Sequence, residues 1–455
     1  MSTKWVFSEK FKEGKRVVKA RLVARGFEEN TDNLRKDSPT CSKYALRSVI
    51  MTAASYNWEL GSIDFASAFL QGNPIDRVVF IKPPPDICNP DRVWLLKRCI
   101  YGLNDAPRAW YNRVTEELLK TGAVRSKIDG AMFMWYKGGK LIGHMVCHVD
   151  DLIFAGTKQW FEDVIGKLKR VFHIGSESQG AFRYVGLNVK RHRGEILLDQ
   201  HDYIEKLQEI PIEMSRKKDS KKELNDDERK LLKALSGKMI WVTSQTRPDI
   251  AYETCCMSNV GKSPTVQKLL DANKAVRKIK SSNEVKLRFP NMGPMDKAEV
   301  VVYADATHAS LPDGSSQGAF VVFVKGQGKV TPILWQSKKL KRVTKSPLAS
   351  ETLALGEAAD AALLISHLMM EIYKLDHLPF VSTYTDSKSL RDAAHTTNTV
   401  EDMSLRVNIG RLREMVNLGE IAIRWIEGRK QLADVLTKRG ASPDCLLSVL
   451  HSSKL

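Results

Sequence analysis

Cysteine, long apolar runs and glycine-rich phosphate loops are scarce or absent in this chain of 455 residues. The 7 cysteines are scattered, without Cys-x-x-Cys or zinc-finger spacing, so we expect reduced intracellular thiols rather than a disulfide framework or a zinc site. The amino terminus lacks the apolar core of a signal peptide, and no uninterrupted apolar run approaches ~18 residues, which predicts no membrane span. Walker A and Gly-x-Gly-x-x-Gly motifs are also missing.

The charge balance, in contrast, is strongly basic. Lys and Arg number 71 against 53 Asp and Glu, which gives a formal net charge of +18. Such a surplus favours a polyanionic partner, either nucleic acid or, less often, an anionic membrane. Hydrophobic residues make up 43% of the chain, which is enough for real cores and excludes a mainly disordered protein.

Three zones follow one another along the chain. Residues 1–195 mix strand-like and helix-like segments, and they open with alternating basic stretches that predict a hairpin. Residues 196–296 contain two helical patterns, at 225–245 and 266–281. Residues 297–455 alternate strands and helices, which predicts a mixed α/β sheet independent of the first zone.

Three acids of the first zone lie in apolar, strand-like surroundings. Asp64 ends one strand-like run, and Asp150 and Asp151 lie between two predicted strands in Val-Cys-His-Val-Asp-Asp-Leu-Ile-Phe. Adjacent carboxylates are costly to bury unless cations neutralise them. Two divalent metals on a reacting phosphate are one such arrangement. A solvated hairpin turn, where aspartate is common, is the alternative.

Four more acids stand near the ends of elements in the third zone. Asp305 follows one strand, and Asp386 ends another. Glu351 opens a long helix, and Asp434 is expected on the final helix. These acids could converge on one pair of metal ions. Helix capping is the ordinary alternative.

Motifs in a fixed order then point to one family. They cover almost the whole chain, at residues 4–7, 19–27, 64–72, 101–111, 149–151, 184–187, 246–251, 303–306, 350–351, 385–387 and 432–434. In this series the chain resembles the reverse transcriptase and ribonuclease H of the Pol polyprotein of copia-type long-terminal-repeat retrotransposons. A series of this length is far more specific than any single motif.

The resemblance implies an α/β (α+β) fold, in which a right-hand polymerase of fingers, palm and thumb is followed by a ribonuclease H-like mixed α/β domain. It places the fingers and palm at 1–195, the thumb and connection at 196–296, and the ribonuclease H domain at 297–455. The implied activities are copying of RNA into DNA by two-metal nucleotidyl transfer and cleavage of RNA in RNA–DNA hybrids.

The resemblance also implies roles for individual residues. The polymerase metal ligands would be Asp64, Asp150 and Asp151. The ribonuclease H metal ligands would be Asp305, Glu351, Asp386 and Asp434. The substrate-binding residues would be Lys19, Arg21, Phe69 and Arg108. Lys19 and Arg21 would hold the triphosphate, with a solvated strand face as the alternative, and Phe69 would be either the aromatic gate against a ribose 2′-hydroxyl or a core residue.

Cofactors and partners follow from the same resemblance. Each active site would bind two Mg²⁺ ions, with Mn²⁺ as a substitute. The expected partners are RNA template, DNA primer, RNA–DNA hybrid and deoxynucleoside triphosphates, without a membrane, and integrase or capsid segments of Pol. The expected location is the cytoplasm, within a virus-like particle if the element is intact, or else the nucleus.

Some positions depart from the family pattern. His148 stands where the family usually has Tyr, Asn104-Asp105 replace Lys-Gln, residues 28–37 rewrite a spacer, and no His stands near Gly428-Arg429. These departures leave open a decayed or repurposed copy that binds nucleic acid without catalysis. A ribonuclease H with an inert polymerase is a third hypothesis. The presence of all seven carboxylates favours an active enzyme.

Overall fold

The computed structural model describes residues 1–12, 15–84, 86–87, 92–396, 400 and 402–455, with the backbone alone at 10–12. Contacts divide the chain into two units. The first comprises residues 1–49 and 59–179, and the second comprises residues 50–58 and 180–455. The zone boundaries at residues 195 and 296 stay predictions.

The first unit consists mainly of antiparallel strands. Its strands are β1 (Thr3–Lys12), β2 (Lys15–Ala24), β3 (Glu59–Phe65), β4 (Phe80–Ile81), β5 (Trp94–Leu95), β6 (Val124–Arg125), β7 (Met132–Lys137), β8 (Lys140–His148), β9 (Asp151–Gly156) and β10 (Ile174–Gln179). Its helices are α1 (Lys43–Ser55, which continues into the second unit), α2 (Ala106–Lys120), α3 (Lys158–Trp160) and α4 (Gly166–Val171).

A six-stranded sheet forms the centre of this unit. The strand order is β10-β3-β9-β8-β7-β6, and all neighbouring strands are antiparallel. Phe65, Trp110 and Phe154 pack in a buried core between this sheet and α2. The strongly apolar β8 and β9 therefore lie in the interior of the sheet, and the predicted pair of strands around a turn at residues 141–155 is confirmed.

The predicted basic hairpin is also confirmed, as a separate two-stranded sheet. β1 pairs with β2 in one continuous antiparallel register. Lys19 lies opposite Ser8, and Arg21 lies opposite Val6. Because side chains alternate across a strand, Lys19 and Arg21 share one face of this hairpin, as their spacing predicts.

The second unit contains two further sheets and most of the helices. Its strands are β11 (Ala181–Tyr184), β12 (Leu187–His192), β13 (Glu195–Asp199), β14 (Leu287–Phe289), β15 (Glu299–Thr307), β16 (Gln317–Gly326), β17 (Lys329–Lys339), β18 (Val381–Thr385) and β19 (Ile421–Trp425). Its helices are α5 (His201–Glu205), α6 (Met214–Lys218), α7 (Asp226–Gln245), α8 (Ala251–Ser258), α9 (Val266–Ser281), α10 (Pro347–Tyr373), α11 (Lys388–His395), α12 (Met403–Asn417) and α13 (Asp444–Ser452).

Helices α7 and α9 match the two predicted helical patterns and pack around a shared apolar core. Asn225 and Glu228 form a reciprocal capping box at the start of α7. Beyond its end, the fully buried Arg247 binds Asp249 through two hydrogen bonds of 2.8 and 2.7 Å. Arg247 also donates to the carbonyl groups of Ile279 and Ser282, so this guanidinium ties α7 to the end of α9.

The predicted mixed α/β sheet has the strand order β17-β16-β15-β18-β19. β17, β16 and β15 are antiparallel, whereas β18 and β19 run parallel to β15. The long helix α10 connects the antiparallel part to β18 and packs against β15 and β16. By length and composition α10 could cross a membrane, but half of its most apolar window is buried within the protein.

Candidate active sites

The first acid cluster lies on three adjacent backbone segments of the six-stranded sheet. Asp64 in β3 stands directly opposite Asp151 in β9. Asp150 occupies the two-residue turn between β8 and β9, and its carbonyl oxygen accepts a 3.1 Å hydrogen bond from the Phe65 amide. All three acids are half-buried. The sheet register therefore brings the three predicted polymerase acids to one place.

The turn that carries these acids has an unusual backbone. Val149 has a φ of 60°, in the left-handed region that a β-branched residue rarely adopts. The indole nitrogen of the buried Trp110 donates a 2.7 Å hydrogen bond to the Val149 carbonyl. Beneath the turn, the Trp110 ring packs edge-on against Phe65 and Phe172. Trp110 thus both packs in the core and bonds directly to the acidic turn.

Two of the four predicted substrate-binding residues are joined by a third side chain. The Arg21 guanidinium lies 5.6 Å from the ring centroid of Tyr101, a contact typical of cation–π pairs. The same ring packs edge-on against Phe69, with 5.0 Å between centroids. Tyr101, to which sequence reasoning gave no role, thus connects the hairpin cation to the predicted gate. Lys19 lies two residues before Arg21 on the same strand face.

Arg108, the fourth predicted substrate-binding residue, has a protein partner. Its Nη1 atom lies 2.8 Å from the Asp37 carboxylate and 2.9 Å from the Asp37 carbonyl oxygen. Asp37 also accepts from Arg35, and its side chain is 57% exposed. In this structure Arg108 therefore anchors the segment before α1.

The second acid cluster is compact. Asp305 lies near the end of β15, Asp386 follows the parallel strand β18, and Glu351 lies on α10. One ligand atom from each of these acids lies within 4.8 Å of the other two. Among the described residues, no other set of three acidic, His or Cys side chains is this close. A group of three carboxylates at this spacing fits a divalent cation.

Helix capping does not explain these acids, because other residues perform it. The Ser346 side chain accepts from the Ala349 amide and caps α10, so Glu351 lies inside the helix rather than at its start. Likewise, the Ser387 side chain accepts from the Leu390 amide and caps α11. The capping alternative for Glu351 and Asp386 is therefore wrong.

The prediction that Asp434 lies on the final helix is wrong. Asp434 begins a single 3₁₀ turn, Asp434–Leu436, whereas the final helix starts ten residues later at Asp444. The apolar neighbours of Asp434, Leu432 and Val435 among them, are almost fully buried. Burial of this segment against the sheet outweighs the helical period that suggested a longer helix.

Burial dominates the electrostatics of this second cluster. It raises the pKa of Asp305 to about 7, and it raises the pKa of Glu351 to about 9 with help from the neighbouring carboxylates. Burial alone would lower the pKa of Lys438, but the carboxylates of Asp305 and Asp434 outweigh it and raise that pKa. At the first cluster, burial lowers the pKa of the His148 imidazole.

Sequence reasoning missed two groups that contact these acids. The Lys438 ammonium lies 2.6 Å from Asp434 and 3.5 Å from Asp305, and the Thr437 hydroxyl donates to Asp305. The spacing of four residues between Asp434 and Lys438 is a signal that could have suggested their ion pair. The contacts with Asp305, however, join residues more than 130 positions apart.

Residues 1–218 match the family described as reverse transcriptase (RNA-dependent DNA polymerase). The matched residues make up slightly less than half of the chain. A retrovirus-related Pol polyprotein from transposon RE2 of Arabidopsis thaliana is 26% identical over 96% of the chain, and the chain spans 30% of that relative. The Ty1-BL Gag-Pol polyprotein of Saccharomyces cerevisiae is 24% identical over 92% of the chain, which spans 25% of that relative. The predicted resemblance to copia-type Pol is confirmed.

One solved structure supports the fold of this chain. The foamy viral protease-reverse transcriptase in complex with RNA/DNA hybrid matches 94% of this chain and 50% of its own, with a TM-score of 0.51 and 13% identity. Together with the mixed five-stranded sheet, this likeness confirms the predicted α/β (α+β) fold class, a polymerase-type fold followed by a ribonuclease H-like α/β fold.

Proposed function

We propose that the chain is the RNA-directed DNA polymerase and ribonuclease H segment of a copia-type retrotransposon Pol. One observation carries this proposal: within a segment of the reverse transcriptase family, the sheet register sets Asp64 opposite Asp151 beside the Asp150 turn. The compact acids Asp305 and Glu351 with Asp386 support the nuclease activity.

In the polymerase, three carboxylates of the chain surround the place where the primer end and the α-phosphate would meet. Two Mg²⁺ ions, or Mn²⁺, would lower the cost of charge on the attacking and leaving oxygens. Asp64 and Asp151 supply ligands from neighbouring strands, and Trp110 fixes the turn that presents Asp150. The chain thus supplies alignment, which is a large part of catalysis by bound reactants.

Substrate selection would use the aromatic link described above. Arg21 and Lys19 supply positive charge for the triphosphate, and the Tyr101 ring contacts both the Arg21 guanidinium and the Phe69 ring. In this position Phe69 would exclude a ribose 2′-hydroxyl by steric contact. Arg108 would hold Asp37 in place through their ion pair, and it would bind substrate only where substrate displaces that pair.

The nuclease would act on RNA within an RNA–DNA hybrid. Asp305, Glu351 and Asp386 would hold the divalent cation, and Asp434 would complete the acidic surroundings. The formal charge of +18 suits contact with many phosphates, so binding should weaken steeply with salt. Integrase or capsid partners, and a cytoplasmic virus-like particle or the nucleus as location, belong to the same proposal.

Three contacts weaken the hypothesis of a decayed copy. Asn104 donates a 3.0 Å hydrogen bond to Glu29, and Asp105 binds Arg77 through two bonds of 3.0 Å. Glu29 also pairs with Arg77. Two sequence departures, residues 28–37 and 104–105, therefore contact one another in a half-buried network. Random decay would not be expected to produce such matched changes.

Primer extension tests the proposal. A labelled DNA primer on an RNA template, with deoxynucleotides and Mg²⁺ or Mn²⁺, should be extended by the parent chain. Asp150→Asn should lower extension by about 1,000-fold or more and leave cleavage of a labelled RNA–DNA hybrid unchanged, since it disturbs the polymerase metals alone. Asp386→Asn should do the reverse.

The alternatives give different results in the same two assays. Salt-sensitive duplex binding without extension or cleavage would support the decayed copy. Cleavage without extension would support a ribonuclease H with an inert polymerase. Extension that survives in Asp150→Asn would place the polymerase metals elsewhere.

A further inference from the structure

Lys438 is a cation built into the second acid cluster. Its Nζ atom lies 2.6 Å from Asp434 Oδ1 and 3.5 Å from Asp305 Oδ1, and 37% of the side chain is exposed. The amides of both Thr437 and Lys438 donate to the Asp434 carbonyl oxygen at 3.0 Å. The backbone that follows the 3₁₀ turn therefore fixes where the ammonium enters the cluster.

Both carboxylate oxygens of Asp305 find their partners on one short segment of the chain. Asp305 is 1% exposed, and its Oδ2 atom accepts from the Thr437 hydroxyl while Oδ1 faces the Lys438 ammonium. A buried carboxylate without such partners would be strongly destabilising. Thr437 supplies a hydrogen bond and Lys438 a positive charge to the most buried acid of the cluster.

The same contacts divide the four acids into two sets. Asp305, Glu351 and Asp386 form the compact set within 4.8 Å, and Asp434 is not part of it. Asp434 instead accepts from Lys438. A divalent cation on the Asp434 side would stand within a few ångströms of the ammonium, where like charges repel and binding of the ion is weakened.

We propose that Lys438 takes the place of one of the two cations expected at the nuclease centre. It is a positioning residue: it holds Asp434 and makes binding of a second divalent ion weak, so that the centre holds one tight ion in the absence of nucleic acid. This inference rests on the proposed nuclease function. It adds that cleavage needs a second ion or a substrate phosphate to draw Lys438 away from Asp434.

Metal counting on the full chain tests this inference without reference to activity. The double variant Asp150→Asn/Asp151→Asn serves as the parent, so that the polymerase centre contributes little to the Mn²⁺ count. Free Mn²⁺ is measured by electron paramagnetic resonance in the absence of nucleic acid. We expect one tightly bound Mn²⁺ in this parent and two when Lys438→Met is added. The second Mn²⁺ should bind at least about tenfold more tightly in the Lys438→Met chain than in the parent. Lys438→Arg, which keeps the charge, should behave as the parent does.

A second variant keeps the test decisive if Lys438→Met fails to fold. Asp434→Asn should keep the tight ion, because Asp434 is not among its ligands, whereas Asp386→Asn should lose it. Two equally tight ions in the parent, or loss of the tight ion in Asp434→Asn, would overturn the inference and leave the nuclease proposal standing. Absence of any Mn²⁺ that depends on Asp386 would overturn both.

Discussion

The acid clusters of the two units differ in how many parts of the chain build them. Asp64, Asp150 and Asp151 come from two neighbouring strands and the turn of one hairpin, and all three are half-buried. The second cluster draws one acid each from β15, α10 and the end of β18, and Asp305 is almost completely buried. In the second cluster the packing of a helix on a sheet sets the spacing, whereas in the first cluster one strand pairing and one turn set it.

This difference shows where each centre is vulnerable. The compact cluster gathers negative charge at a cost in desolvation, which Thr437 and Lys438 offset. The hairpin cluster avoids deep burial but depends on a strained backbone at Val149, held by Trp110. We therefore expect small steric changes to affect the polymerase more than the nuclease.

Alanine substitutions at two glycines that lie beside carboxylates should give the largest difference between the two centres. A Cβ atom on Gly175 would lie 2.7 Å from Asp64 Oδ2, so Gly175→Ala fits only if that carboxylate turns away. Extension should fall by about 100-fold, as expected when a reacting group is misplaced by about 1 Å. The Cβ atom would also lie 3.2 Å from the backbone atoms Ala66 N and Asp64 O, so the backbone must shift by a few tenths of an ångström. The fold should survive, because the closest contact is with the end of a flexible side chain. Steady-state extension and thermal unfolding of the variant measure both effects.

Gly428→Ala is the matched change in the nuclease. Its Cβ atom would lie 3.5 Å from Asp386 Oδ2, which is ordinary contact, and neither glycine has a positive φ. Hybrid cleavage should stay within about twofold of the parent, as for a mild surface change. Equal losses in the two variants would contradict the contrast between the centres.

The Trp110 bond to the acidic turn gives the next largest expected effect. Trp110→Phe removes the donor to the Val149 carbonyl, so the turn should lose its alignment and extension should fall by about 10- to 100-fold. Trp135→Phe is the control, because it removes an indole bond of 2.9 Å to Thr121 in the same unit, away from the acids. If both variants lose equal activity at equal stability, Trp110 merely packs.

Local pattern was sufficient to predict several of the elements and to place most of the acids near element ends. The apolar residues on both sides of Asp150 and Asp151 predicted β8 and β9, and the helical spacing at 266–281 predicted α9 within its observed bounds. What local pattern could not supply is contact across long separations. The pairs Arg108–Asp37 and Lys438–Asp305 depend on how whole sheets and helices pack, and Asp434 lies in a 3₁₀ turn because burial overrides its local helical period.

Thr437 allows a smaller test on the nuclease side. Thr437→Val keeps the shape but removes the hydroxyl that donates to Asp305, so the buried carboxylate loses one partner. Hybrid cleavage should fall by about tenfold, the usual scale for a hydrogen bond to a charged group. Thr437→Ser retains the donor and should keep most activity. If Thr437→Val keeps its activity and Thr437→Ser loses it, the methyl group rather than the hydroxyl matters.

Among the changes at the first cluster, His148→Tyr should have the smallest effect. His148 lies opposite Asp151 at the end of β8, where the family usually has Tyr, and it is half-buried. His148→Tyr should change extension by no more than about threefold, because the metal ligands and the Val149 turn remain. His148→Lys, in contrast, would place a cation beside Asp150 as Lys438 stands beside Asp434, and the Mn²⁺ concentration needed for half-maximal extension should rise. If His148→Lys leaves that Mn²⁺ concentration unchanged, a nearby cation does not weaken metal binding at a pair of carboxylates. The presence of Lys438 would then not distinguish metal binding at the second centre from metal binding at the first.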